Sequence, residues 1–194
     1  AKYVLNILEE QSTVILGAAF LTVFIALVPW TRYIIKVGAK QAASWAIAFF
    51  AIALVPFGLA RNFTTGIIGA VLVGAGLAGI LLLFDALLIA DVIDEDQLHT
   101  GQRREGMYFG ANALFIRLAI SVQALVMSQV LKATGYNPNL ASQPASIVTG
   151  IRSLMTVIPI IALIAAFLVF RQYPLYGEKL SEVKNQLESM AKTD

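Results

Sequence analysis

Long apolar runs alternate with short polar segments along this chain. A helix needs about 20 mostly apolar residues to cross the hydrocarbon core of a bilayer, whereas the strands of a membrane barrel are shorter and alternate in polarity. The apolar runs here are continuous and cover roughly residues 12–30, 44–60, 65–90, 107–134 and 147–170. The pattern therefore predicts an all-α membrane protein with about five transmembrane helices.

The two ends of the chain differ from these runs. Residues 1–10 lack the basic-then-apolar order of a signal peptide and are interpreted as the tail of a preceding helix. Because the chain begins with Ala1 rather than Met, we expect it to be a fragment or to be processed at its N-terminus. Residues 175–194 are polar but carry leucine and valine at helical spacing, which predicts a short amphipathic helix on the membrane surface.

The composition agrees with a lipid environment and excludes several kinds of chemistry. Hydrophobic residues make up 58% of the chain and charged residues 13%, against about 25% charged in soluble domains. The net charge of +2 is too small to indicate a nucleic-acid partner. The absence of cysteine excludes disulfides and thiol catalysis. His99 stands alone, so we expect a solvated residue and no metal site.

The basic residues between the runs indicate the orientation of the chain. Cytoplasmic loops of membrane proteins carry an excess of lysine and arginine. A cytoplasmic C-terminus puts nine basic residues inside and four outside. The inner set is Arg32, Lys36, Lys40, Arg103, Arg104, Arg171, Lys179, Lys184 and Lys192, and the outer set is Lys2, Arg61, Lys132 and Arg152. We therefore predict a transmembrane bundle over residues 1–174 and a cytoplasmic tail over residues 175–194, in a plasma (inner) membrane.

Two charged residues fall inside predicted spans, apart from Lys132 and Arg152 near the outer ends of theirs. Asp85 lies roughly 9 Å along a helix from Asp91, near the cytoplasmic boundary. Arg117 lies roughly 18 Å along a helix from Glu105, near the middle of the bilayer. A charge at that depth costs about 2.5 to 17 kcal/mol, and arginine cannot lose its proton to avoid the cost. Arg117 therefore needs a carboxylate, a carbonyl or a water-filled cavity.

The residues around Arg117 favour a cavity or a helix contact. Small and polar residues recur at spacings of three and four along the fourth span, namely Gly110, Ala113, Arg117, Ser121, Ala124 and Ser128. Asn112 and Gln123 add polar groups on a second face. The functional interpretation is a substrate or ion pathway lined by Arg117, Asn112, Asp85 and Ser121. The alternative is a structural ion pair between Arg117 and an acid such as Asp85, locking two helices together.

The third span and the segment that follows it carry two further patterns. Gly66, Ala70, Gly74 and Ala78 form a stripe of small residues at spacing four, which is typical of a close helix-packing face. Residues 91–106, DVIDEDQLHTGQRREG, form the most charged stretch of the chain, with acids before bases. Such a run predicts a solvated charged loop.

A family resemblance rests on residues 84–118, FDALLIADVIDEDQLHTGQRREGMYFGANALFIRL. They resemble helix 10, the cytoplasmic loop and helix 11 of the glycoside–pentoside–hexuronide:cation symporters, the melibiose-permease-like branch of the major facilitator superfamily. The matching elements are A-D-x-x-D at 90–94, T-G-x-R-x-E-G at 100–106 and a basic residue twelve positions after that glutamate. GYNPN at 135–139 and FRQYPL at 170–175 resemble the turns that flank helix 12 of this family.

The resemblance implies the C-terminal half of a twelve-helix transporter whose N-terminal half is missing from this chain. Members of the family carry sugars with Na+ or H+, so the expected partners are a sugar, a coupling cation and membrane lipids, with no other cofactor. Arg117 stands where the family usually has a lysine, and its fork could clamp the carboxylate of a sugar acid. Asn112 falls near the expected sugar site, but Leu82 stands where the family has an aromatic residue.

The function predicted from the sequence is cation-coupled symport of a sugar, glycoside or sugar acid by alternating access. Asp91, Asp94, Arg103, Arg104 and Glu105 are predicted to form a cytoplasmic gate whose ion pairs hold one state and break in the other. The alternative is a non-transporting membrane scaffold or lipid-interacting module derived from half of a transporter. An enzyme is not expected, because the sequence has no paired-histidine, catalytic-cysteine or nucleophile motif.

Overall fold

A computed structural model describes residues 9–137, 139–140 and 143–192, without the side chains of residues 9, 85, 86 and 191. Within this part of the chain the regular structure is helical throughout. The helices are α1 (Glu9–Val37), α2 (Ala39–Leu59), α3 (Phe63–Leu82), α4 (Leu88–Thr100), α5 (Glu105–Ala133), α6 (Ser146–Met155), α7 (Val157–Phe170) and α8 (Gly177–Ala191). A π-helical turn, Leu83–Leu87, joins α3 to α4.

The described helices confirm the all-α membrane fold. Five segments are long and apolar enough to cross a bilayer, and they are Glu10–Val37, Ala39–Leu59, Phe63–Leu82, Glu105–Ala133 and Ser146–Phe170. Of the predicted tail over residues 1–10, residues 1–8 lie outside the described part. Glu9 and Glu10 begin α1 itself.

The first two helices extend beyond the apolar runs that predict them. Helix α1 continues past Trp30 to Val37 and ends at Gly38, whose φ of 84° is left-handed and so suits glycine. Helix α2 then begins at once, at Ala39. The basic residues of this segment therefore lie on helix ends rather than in an extended loop.

The prediction of a loop over residues 91–106 is wrong for most of its length. Helix α4 runs through Thr100 and ends at Gly101, and the connection to α5 is only residues 101–104. The helix forms because this stretch also has an apolar side: Leu88 and Ile93 are buried. The acids of the segment are therefore held in fixed positions on a helix.

Helix α3 lies at the centre of the packing, between α1 and α2. A methyl group built on Gly74 would lie 2.3 Å from the backbone oxygen of Ala19 in α1, and one built on Gly69 would lie 2.6 Å from Cα of Phe57 in α2. Such distances mean that the helix backbones touch where the glycines lie. The predicted stripe of small residues is thus a packing face, with Gly66, Ala70, Gly74 and Ala78 all buried.

The last span is broken near Pro159. The helix breaks at Thr156, where φ is −134° and ψ is −70°, and resumes as α7. Pro159 has no N–H to donate to the carbonyl of Met155, so the break falls within one turn of the proline.

Helix α5 differs from the other spans, since no residue from Glu105 to Ala133 is buried. Its faces are left open by the rest of the described chain.

Filling the α3 contact should disrupt the bundle. We expect Gly74→Val to destabilise the protein by about 1 to 3 kcal/mol or to prevent folding, because the new side chain meets backbone rather than a movable side chain. The thermal unfolding midpoint of the detergent-solubilised protein measures this. Gly17→Val is the matched control, because a methyl group on Gly17 would meet nothing within 4 Å. Equal midpoints for the two variants would contradict the close approach of α1 and α3.

Candidate functional site

The π-helical turn interrupts the third predicted span at the position of Asp85. Leu83 is fully buried, and Phe84 packs edge-on against Phe170, with ring centroids 5.3 Å apart. Single π turns inside membrane helices are frequent at functional sites because they alter the backbone hydrogen bonding locally. The side chain of Asp85 lies outside the described part of the chain. The hypothesis of an Arg117–Asp85 ion pair therefore remains open.

Arg117 lies on the open surface of α5. Its side chain is exposed, as is that of Ser121, and Asn112 is half-buried. The Ser121 hydroxyl donates a 3.1 Å hydrogen bond to the backbone carbonyl of Arg117, one turn earlier in the same helix. Among the described side chains, no acid forms an ion pair with Arg117. The predicted pathway residues thus remain a prediction, with Arg117 and Ser121 on a face that the described residues do not cover.

Arg103 joins the end of α4 to the start of α5. Its Nη1 lies 2.9 Å from Oδ1 of Asp94 and 2.9 Å from Oε1 of Gln97, and its Nε lies 2.6 Å from Oε1 of Glu105. The hydrogen bonds to Glu105 and Asp94 raise the pKa of Arg103 above its usual value. Three of the predicted gate residues therefore meet at one guanidinium.

Arg104 pairs with an acid that the sequence analysis did not select. Its Nε donates a 2.9 Å hydrogen bond to Oδ2 of Asp96, and its Nη2 contacts the other carboxylate oxygen. This two-point hydrogen bond from Arg104 holds the pKa of Asp96 below its usual range. Nothing in the spacing of Asp96 relative to Asp91 and Asp94 identifies it, rather than one of those acids, as the partner of Arg104. Only the fold of the 101–104 turn brings Arg104 to it.

The buried acid of the cluster is Asp91, which is 6% exposed. Its Oδ1 lies 3.2 Å from Nζ of Lys184 in α8, so its partner comes from the C-terminal helix and not from the 101–104 turn. Burial raises the pKa of Asp91, the contact with Lys184 opposes this rise, and nearby Asp94 adds to it. A second pair links the same two helices, with 2.7 Å between Lys179 Nζ and Glu95 Oε1.

Helix α8 packs against the end of the bundle. Leu175 and Val183 are buried, and the Lys40 ammonium lies 3.6 Å from the ring centroid of Tyr176. Tyr173, in the connection before α8, has its pKa raised to about 12 by burial and then by the charges of Asp91 and Glu95. The amphipathic helix predicted for a membrane surface therefore has its apolar side on the protein. We call α4, the 101–104 turn and α8 together the charged end.

Similarity to known proteins identifies the family to which this architecture belongs. A bundle of membrane-length helices with an ordered ion-pair cluster at one end defines an integral membrane protein. The sequence model of the family described as "MFS/sugar transport protein" matches residues 1–177, so the chain belongs to that family. It is therefore a transporter chain and not an enzyme.

Individual relatives are similar at low identity. A putative glycoside/cation symporter, YagG of Escherichia coli, is 23% identical over 52% of this chain and 22% of its own length. A sodium-dependent lysophosphatidylcholine symporter 1 from Gallus gallus is 26% identical over 97% of this chain and 36% of its own. A symporter from Synechocystis, sll1374, is 25% identical over 62% of this chain and 23% of its own. The chain thus spans about a third or less of the length of these relatives.

Because Asp91 is buried, removal of its partner Lys184 should affect the stability of the protein in a pH-dependent way. Because the pKa of Asp91 is raised in the folded state, its own titration favours folding below the unfolded pKa, and that contribution is lost as pH rises through the folded pKa. Lys184→Met should therefore destabilise the protein by about 1 to 3 kcal/mol at pH 7.5, where it leaves a buried carboxylate unpaired, and by much less at pH 4. Thermal unfolding at both pH values measures the difference.

The controls use neighbouring positions. Lys192→Met removes an exposed charge near the end of the same helix and should have little effect at either pH. In an Asp91→Asn background, Lys184→Met should lose its pH dependence. An effect of Lys184→Met that is equal at both pH values would contradict the pairing with Asp91.

Proposed function

We propose that this chain is the C-terminal half of a cation-coupled symporter that carries a sugar, a glycoside or a sugar acid by alternating access. In this mechanism two helical bundles rock about a site near the middle of the membrane, which opens to each side in turn. The missing N-terminal half of the same transporter is the expected partner. The coupling cation is Na+ or H+.

The observation that carries the proposal is the open face of α5. This helix is 29 residues long and membrane-spanning, has no buried residue, and carries a permanent positive charge at Arg117. Lipid tails cannot solvate that charge, so this face requires another protein surface or a water-filled cavity. A second helical bundle closing over α5 would supply both. The relatives named as symporters, which extend well beyond this match, support the same interpretation.

Arg117 is the residue we assign to substrate. A guanidinium keeps its charge and presents a planar fork to a carboxylate, which favours a sugar acid over a neutral sugar. Ser121 and Asn112 are within one to two turns of Arg117 and offer a hydroxyl and an amide. Asp85, on the π turn, is the fourth residue of the proposed pathway.

The charged end is the proposed gate. Arg103 with Asp94 and Glu105, and Arg104 with Asp96, fasten the start of α5 to the end of α4. Such pairs favour one state only by the difference in their energy between the two states. Asp91 belongs to the predicted gate through its pairing with Lys184, so α8 takes part in it.

The distribution of basic residues supports an orientation. Arg32, Lys36 and Lys40 lie at the same end of the chain's helices as Arg103 and Arg104, where α8 also packs. The excess of lysine and arginine at that end favours a cytoplasmic location for the gate and the C-terminus. We propose the plasma (inner) membrane as the site of action.

The substrate assignment can be tested by uptake. In the full-length transporter, Arg117→Ala should reduce gradient-driven uptake of a labelled glucuronide by at least about tenfold, since one charge-assisted hydrogen bond to a carboxylate contributes about 1.5 to 3 kcal/mol. Arg117→Lys should retain part of the activity, and uptake of a neutral glycoside should fall less. Lys132→Ala, which removes an exposed cation near the end of the same helix, should leave uptake unchanged.

Several results would count against this assignment. Normal glucuronide uptake by Arg117→Ala would remove Arg117 from the site. An unmodified protein that carries no sugar or glycoside, and that forms a stable dimer through α5, would favour the non-transporting scaffold.

The gate predicts a charge-swap rescue. Asp96→Arg should break the pair with Arg104 and increase cytoplasmic access to the interior, and adding Arg104→Asp should restore closure. This chain has no cysteine, so a single cysteine placed at Ala113 can report access through its rate of thiol labelling. Glu182→Arg, at an exposed acid on α8, is the control. Labelling that is unaffected by Asp96→Arg, or that the swap fails to reverse, would exclude this pair from the gate.

A further inference from the structure

A groove lined by aromatic rings opens on the outer surface of the bundle between α1 and α2. It has a volume of about 370 Å3, and Trp45 on its rim is 57% exposed. Both tryptophans of the chain contribute to it. The lining residues, which we call the aromatic groove, are Ala26, Pro29, Trp30, Tyr33, Trp45 and Phe49, with Ala75 of α3 at the base.

The walls of the groove are fixed by contacts within the bundle. The Trp30 indole N–H donates a 2.8 Å hydrogen bond to the carbonyl of Ala75. The same ring packs edge-on against Tyr33 and Phe49, with centroids 6.0 Å and 6.4 Å away. Gly79 makes room for it, since a methyl group there would lie 2.6 Å from the indole. The groove is therefore preformed, and its Trp30 donor is already occupied.

Two cations on α1 lie close in sequence to residues that line the groove. Lys36 follows Pro29 by seven residues and Tyr33 by three, so it continues the same face of α1 to the end of the membrane-length segment. Arg32 lies three residues after Pro29 and directly before Tyr33. Both side chains are exposed, and neither forms an ion pair within the described part of the chain. Lys40 differs, because its ammonium already lies over Tyr176.

An apolar groove with unpaired cations on the same helix, toward the end of the membrane-length segment, matches one kind of molecule. Tryptophan and tyrosine favour the interfacial region of a bilayer, and lysine and arginine there attract anionic headgroups. The walls offer little hydrogen bonding, so a sugar would fit poorly. We propose that the aromatic groove binds an anionic glycerophospholipid, with an acyl chain against Trp30, Trp45 and Phe49 and the phosphate at Arg32 and Lys36. This lipid site is separate from the proposed transport pathway on α5.

Photolabelling can test the site directly. The full-length protein is reconstituted in phosphatidylcholine nanodiscs with a trace of phosphatidylglycerol that carries a diazirine in its acyl chain, and labelled peptides are mapped after irradiation. We expect label concentrated in peptides containing residues 26–33 and 45–49. Unlabelled phosphatidylglycerol should displace it, and an equal amount of added phosphatidylcholine should not.

Charge variants separate headgroup recognition from general lipid contact. Labelling of the groove should fall about fivefold for each cation removed in Arg32→Gln and Lys36→Gln. Arg61→Gln with Lys132→Gln, which removes two exposed cations elsewhere, should leave it unchanged. The proposal is overturned if phosphatidylcholine displaces the label equally well, or if both pairs of variants reduce it alike. It is also overturned if the unmodified protein takes no label in the groove, as expected if another part of the transporter or a second copy covers it. The displacement experiment needs only the unmodified protein, so misfolded variants would not prevent a decision.

Discussion

Backbone contact between α3 and its two neighbours determines where the functional elements of this chain lie. Glycines at the contact points let α3 touch α1 near Ala19 and α2 near Phe57. At the end of the same helix, Leu83 is fully buried among the alanines of α2. The chain then passes through the π turn into α4, which carries the acids. The acids of the charged end therefore lie on a helix that continues directly from the most closely packed helix of the bundle.

Helix α8 adds long-range contacts to the charged end, beyond those of the 101–104 turn. Its Lys179 and Lys184 pair with acids of α4, while Tyr176, directly before it, contacts Lys40 at the start of α2. The C-terminal helix thus connects α2 and α4, which are distant in sequence, at one end of the bundle. Any motion that separates α4 from α5 must either carry α8 along or break its pairs.

Sequence patterns predict the helices of this chain better than they predict its ion pairs. Apolar runs and the small-residue stripe suffice for the spans and for the α3 packing face, because both follow from local periodicity. The π turn cannot be predicted in this way, because a shift in backbone hydrogen bonding leaves the hydropathy of the chain unchanged. In the charged segment, the many acids predict a solvated loop. The segment is nevertheless a helix, because Leu88 and Ile93 give it an apolar side.

The pairings depend on tertiary structure. Asp94, Arg103 and Glu105 lie close together in sequence, and their contact follows from one tight turn. Asp91 and Lys184 are joined only because α8 folds back on α4. The predicted role of Arg117 is a different matter, because its side chain is exposed and no acid among the described side chains pairs with it.

The two sides of α5 explain why Arg117 is placed where it is. Phe115 is 69% exposed and lies two residues before Arg117, which is roughly 200° around a helix. One face is thus suited to lipid tails, whereas the face of Arg117 and Ser121 carries small and polar residues that lipid solvates poorly. A helix built this way is stable in a membrane only when its polar face meets another protein surface or water. The polar face of α5, which the described residues leave uncovered, is therefore the face where the proposed second bundle or a water-filled cavity would lie.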